Sequence, residues 1–292
     1  MRVYIFGCIL WRYHDERERF DKMKMKPLQM AKPPVEEAAD PRPLIPTSLV
    51  GSFKGGSLKT AIAVAVAERL ALSGLHVVLL ATDSQEDARN RLGLKTAVSG
   101  GARVTRGTGT VTLLEMLPAQ AINVLYRVGF SQLGQVDAVV VDTPPVRHGG
   151  SLPGVLLFAT TDGDDATRSL CSMLRQTPTN TEILLVRYHT LNSRPSPEDW
   201  KQEAEAIVQA VGGERKWIYL PEPLPRSDPV KKALDAGLSV WDLPRRNRTL
   251  EFLTGVETLA RESWLRIHPD TPLPPKPRKA PVYVPGWEDE DD

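Results

Sequence analysis

Cysteine is almost missing from this chain: Cys8 and Cys171 are the only two among 292 residues, and they stand far apart. That excludes a disulfide framework and a cysteine-built metal or iron–sulfur centre, and it suits a reducing compartment. A charge imbalance is missing too. Thirty-seven basic residues face thirty-six acidic ones, so no global field draws the chain toward nucleic acid or an anionic membrane. Binding of either kind would need a local patch. The apolar run near the N-terminus, residues 3–11, is too short to span a bilayer and leads into charges without a small-residue cleavage site.

What the sequence does hold is a regular alternation. The runs 44–50, 76–82, 137–142, 154–162, 181–188 and 216–221 read as strands, several of them apolar throughout, as strands covered on both faces are. Helices are expected over 60–72, 119–133, 166–176, 197–211, 228–236 and 247–267, with Gly74 closing the first. Residues 96–112, rich in glycine and threonine, fit neither pattern. The alternation implies right-handed βαβ units, hence an α/β, doubly wound, mostly parallel sheet with helices on both faces. Residues 44–267 form that domain. Residues 1–43 read as a flexible extension or an overlong start, with Met23, Met25 and Met30 as other beginnings. Residues 268–292, proline-rich and then acidic, read as an extended, mobile tail.

Between the first strand and first helix lies Lys54-Gly55-Gly56-Ser57-Leu58-Lys59-Thr60, followed by Ala61. A glycine-rich loop between strand and helix lets backbone N–H groups and the helix N-terminus face an anion. A lysine there bridges phosphate oxygens, and a hydroxyl holds Mg²⁺. The ordinary pattern GxxxxGK[ST] fails twice, because Phe53 and Leu58 occupy its glycine positions. A plain glycine turn capping a helix, with Lys59 merely exposed, is the bland alternative. Two more acidic positions follow strands: Asp83, in Ala81-Thr82-Asp83-Ser84-Gln85, and Asp142, in Asp142-Thr143-Pro144-Pro145. A carboxylate ending a buried strand lies at the carboxyl edge of the sheet, where ligands bind in open α/β folds. Asp83 also reads as the N-cap of a helix, and the two roles are compatible.

Taken together, these pieces resemble the deviant Walker A signature KGGxxK[ST] of the ParA/MinD superfamily of ATPases. Asp142-Thr143-Pro144-Pro145 resembles its switch II, and Asp83 with Gln85 resembles its switch segment DxDPQ, with Ala81 and Ser84 departing from it. A softer resemblance covers residues 218–243, with Arg226 as the basic residue and "ALDAG" as the helix end. The asparagine that often follows the preceding strand is replaced by Arg187. The resemblance implies ATP and Mg²⁺ as ligands, with residues 54–61 binding ATP and Thr60, Asp83 and Asp142 around the metal. It gives Lys54, Lys59 and Asp83 catalytic roles, with Lys54 reaching across an ATP-sandwiched homodimer.

Within that superfamily, membrane-bound relatives end in a basic amphipathic helix, whereas this chain ends in Trp287 and five acidic residues; no membrane role is expected. The resemblance then implies a cytoplasmic, nucleoid-associated partition or conjugation-associated ATPase with a ParB-like or other DNA-bound partner. Lys231, Lys232, Arg245, Arg246 and Arg248 are its candidate contacts to non-specific DNA, or simply a solvated face. A degenerate relative that binds nucleotide without turnover is the alternative, motivated by Leu58 and Ala81.

Overall fold

The computed structural model describes residues 42–52, 58–82, 87–94, 101–144, 152–162, 164–189 and 195–277. The apolar runs become β1 (Thr47–Gly51), β2 (His76–Ala81), β5 (Ala138–Asp142), β6 (Leu156–Thr161) and β7 (Glu182–His189). Each is buried along nearly its whole length, as strands covered on both faces must be. Residues 102–115 form a hairpin, β3 (Ala102–Arg106) and β4 (Gly109–Glu115), while β8 (Trp217–Tyr219) and β9 (Leu224–Pro225) complete the strands described. The order is β3-β4-β2-β5-β1-β6-β7-β8, with β9 beside the end of β7. Every pairing is parallel except β3 with β4. The sheet is doubly wound and mostly parallel.

Alternation along the strands divides the core in two. Val50, Leu79, Ala81, Val140, Phe158 and Val186 face α1 (Lys59–Leu72), α6 (Asp228–Asp235) and α7 (Asn247–Trp264). Leu49, Leu80, Val141, Leu157 and Leu185 face α3 (Pro118–Asn123), α4 (Asp164–Gln176) and α5 (Pro197–Val211). Burial runs nearly all round α1, because the sheet lies on one side of it and α7 on the other. Each fully buried Val or Leu there contributes roughly 1.5–3 kcal/mol. A short helix, α2 (Asp87–Arg91), follows β2.

Two expectations differ from what forms. The region 96–112 contributes a hairpin, because Val104, Val111 and Leu113 alternate inward around the turn at Gly107. The helix expected over 119–133 breaks into α3, a π-helical turn at Val124–Val128 and a 3-10 turn at Ser131–Leu133, interrupted where Gly129 adopts φ 71°. Beyond α7, residues 268–277 lie against the body. Trp264 Nε1 donates to Thr271 O (2.8 Å), Arg69 Nη2 to Pro274 O (2.6 Å), and Lys276 Nζ to Trp241 O, while Leu273 packs on the α1 core.

Candidate nucleotide site

Three strand ends converge at the carboxyl edge. Asp142, the last residue of β5, stands in register with Val50 of β1 and Ala81 of β2. Side chains alternate along a strand, and Val140 lies in the α1-facing core, so Asp142 projects to that same face. It is 1% exposed. Beyond Gly51 the chain leads through 53–57, which lie outside the described residues, to Leu58 and the first turn of α1.

That first turn suits an anion. Leu58 is the N-cap and offers no side-chain hydrogen bond; its carbonyl accepts from Ile62 N (2.8 Å). The N–H groups of Lys59, Thr60 and Ala61 stand in the first turn, where a helix offers them no acceptor of its own, and no acidic residue occupies that turn, so its positive end suits an anion. Lys59 is 6% exposed and Thr60 half-buried. Leu58 takes φ 55°, ψ 10°, the left-handed conformation that glycine adopts readily and leucine does not. Leucine therefore keeps the backbone turn that a glycine would supply here.

Hydroxyl groups fasten the strand ends together, a feature that the sequence reading missed. Thr82 donates both N–H (3.0 Å) and Oγ1–H (2.9 Å) to Asp142 O. Thr143 Oγ1 donates to Val50 O (2.8 Å), and Thr160 Oγ1 to Gly51 O (3.3 Å). The roots of the three loops that carry Lys54, Asp83 and Pro145 are thus tied to one another. Threonine directly flanking each strand-terminal position was the signal available.

Lys59, Thr60, Ala61, Asp142, Thr143 and Pro144 gather at this edge; Lys54, Gly55, Gly56, Ser57, Asp83 and Pro145 fall outside the described residues. Ala81 stands beside Asp142 on the α1 face, so its methyl group sets no second carboxylate against that aspartate. Arg187 belongs elsewhere. It projects to the opposite face, where Nη1 pairs with Glu203 Oε1 of α5 (2.9 Å), an oxygen that Thr167 also reaches (2.7 Å).

Of the expected DNA-contacting residues, Lys231 and Lys232 lie within α6, while Arg245 and Arg246 precede α7 and Arg248 sits in its first turn; the Ser227–Thr249 hydroxyl bond (3.1 Å) ties the two helix starts together. Lys231 is engaged with Asp235 (2.7 Å) and Arg226 with Asp228 (3.3 Å). Arg245 and Arg246 are exposed, and no carboxylate among the described residues pairs with them or with Arg248.

Solved structures share this architecture. Apo McdA from Cyanothece aligns at TM-score 0.52 and 15% identity, over 73% of this chain and 98% of its own. The pNOB8 ParA aligns at TM-score 0.52 and 13% identity, over 78% and 99%. MinD from Pyrococcus horikoshii, complexed with Mg-ADP, aligns at TM-score 0.51 and 12% identity, over 76% and 99%. The chain has the ParA/MinD fold. No protein-family model matches the sequence, and no curated protein does. Such low identities speak for the fold, and the fold agrees with the resemblance carried by residues 54–60 and 142–145. Within the ParA/MinD fold described here, no helix among the described residues is long and apolar enough to cross a membrane.

Proposed function

We propose that the chain is a ParA-like Mg²⁺-dependent ATPase. The observation that carries this reading is an acid-free α1 N-terminus bearing Lys59 and Thr60, without a side-chain cap, together with the buried Asp142 that ends β5 in register with Val50 of the strand leading into α1. The donor set fits the ligand: backbone N–H groups and Lys59 for phosphate oxygens, and Thr60 with Asp142 for Mg²⁺. When bound, Mg²⁺ supplies neutralisation of charge on the phosphates. Lys59 places a fixed positive charge at the phosphates, Asp83 orients the attacking water by accepting its proton in a hydrogen bond, and Lys54 acts across a homodimer. The Mg-ADP held by the Pyrococcus horikoshii MinD, whose fold this chain shares, supports the same ligand here.

The cellular role we infer is positioning of DNA or a DNA-bound cargo in the cytoplasm, with a ParB-like or conjugation-associated partner and non-specific DNA held at Arg245, Arg246, Arg248 and the two lysines. A second reading, a nucleotide-binding regulator without turnover, is favoured by the left-handed Leu58 and by Ala81. ATPase rate decides between them. Lys59→Ala and Asp83→Ala are each expected to lower it by about 10²-fold or more. Wild type at the level of both variants, with nucleotide still bound, establishes the regulator.

A further inference from the structure

The tail leaves the body beside the basic patch, and the direction it takes is fixed by its contacts. From α7 the chain turns at Thr271, whose carbonyl accepts from Trp264. Pro274 O then accepts from Arg69, a fully buried guanidinium that also grips both carboxylate oxygens of Glu257 (2.6 and 2.7 Å). Lys276 next reaches Trp241, donating to its carbonyl and lying 5.8 Å from the ring centroid; that indole donates to Ala65 O (2.8 Å). Contacts along α1 therefore step from Arg69 back to the level of Ala65 as the tail advances from 274 to 276. The tail runs antiparallel to α1, toward the carboxyl edge of the sheet.

Charges of both signs surround the end of this strap, Arg245 and Arg69 among the cations. Lys276 is pushed below the usual lysine range, first by burial and then by repulsion from Arg245. Asp242 in the turn before α7 and Glu257 on α7 pull the other way, and Arg69 repels from α1. Arg245 and Arg246 are exposed, and no acidic residue sits in the first turn of α7. Cations therefore cluster at a helix N-terminus that already favours anions. The sequence beyond adds Arg278 and Lys279, then a neutral stretch, then Glu288-Asp289-Glu290-Asp291-Asp292.

We propose that the acidic run Glu288–Asp292 folds back onto the patch formed by Arg245, Arg246 and Arg248 and screens it from other polyanions. Reach is ample. Ten residues lie between Pro277 and Glu288, and the eleven steps give a random-coil root-mean-square span of roughly 18 Å and a fully extended reach of about 36 Å. The tether makes the contact intramolecular, at an effective concentration of about millimolar, so weak carboxylate–guanidinium pairs suffice. A patch that attracts a phosphate backbone attracts this run by the same Coulomb term.

The test uses the full chain, ¹⁵N-labelled, with Cys8→Ser and a nitroxide on Glu290→Cys. The amide signals of residues 245–248 are expected to lose most of their intensity at low salt. They should recover at high salt and in Arg245→Glu/Arg246→Glu. Undiminished signals at low salt, or attenuation only when spin-labelled and ¹⁵N-labelled chains are mixed, overturn the proposal. A second arm rests on the DNA reading given above. Mobility shift on random duplex should tighten about tenfold when the five tail acids become Gln or Asn, and Arg245→Glu/Arg246→Glu should abolish binding. Attenuation without any DNA binding leaves the fold-back contact in place and refutes the DNA reading alone.

Discussion

Leu58 has the least ordinary backbone at the candidate site. At φ 55° a leucine costs about 1–2 kcal/mol relative to a right-handed residue, and its half-buried side chain returns a similar amount by packing on the α1 core. Leu58→Gly removes both and adds chain entropy, so the unfolding free energy should stay within about 1 kcal/mol of wild type. Leu58→Val keeps the strain and worsens it with a β-branch, and should lower stability by about 1–2 kcal/mol or more in urea denaturation. Thr143→Val leaves Val50 O without its donor and should cost about 1–2 kcal/mol by the same assay. The placement of Lys59, Thr60 and Asp142 at one edge was legible in the sequence because a helix start after one apolar run and an acidic end to another fall at the carboxyl ends of parallel strands. The threonine ties were not, since a hydroxyl's partner depends on which strands lie adjacent, and β5 enters between β1 and β2 only after long excursions of the chain.

Among the elements, α2 and α6 meet through a pair of glycines. A Cβ on Gly237, which has φ 70°, would lie 2.4 Å from Gly93 Cα, so the "ALDAG" helix end needs its glycine for close approach as well as for the turn. Gly237→Ala should lower stability by about 2 kcal/mol or more, read as a fall in Tm, and should loosen the helix that follows Asp83. The hairpin β3–β4 is fastened to α1 by a buried carboxylate. Glu68 accepts from Arg106 Nε (2.5 Å) and Ser239 Oγ (2.8 Å), yet burial raises its pKa above the ordinary 4.5. The folded chain thus holds this proton more tightly than the unfolded one. Its contribution to stability is present below about pH 4.5 and is lost as pH rises through the folded value. The stability of wild type relative to Glu68→Gln should therefore decline over that rise, measured by denaturation at several pH values. The hairpin escaped the sequence reading because its glycines and threonines resemble a loop; only pairing with β2 reveals the alternation of Val104, Val111 and Leu113.

For the whole molecule, the alternation of apolar runs and helices made the parallel sheet legible, since buried parallel strands announce themselves by uninterrupted apolarity. The seat of residues 268–277 was not legible. Proline-rich sequence has no periodicity of its own, and its position is set by Arg69, Trp241 and Trp264, which are 7–205 residues away. Arg69 is buried and bonded to Glu257 and Pro274, so Arg69→Met should release the strap and lower stability by about 1–2 kcal/mol through the lost hydrogen bonds to Pro274 O and Ser73. At this scale the account stands on one claim, that the edge bearing Lys59, Thr60 and Asp142 hydrolyses ATP. Steady-state phosphate release from the full chain with Mg²⁺ and ATP tests it most directly. The account predicts turnover that Lys59→Ala and Asp83→Ala each reduce by about 10²-fold or more. Wild-type release no faster than either variant contradicts it.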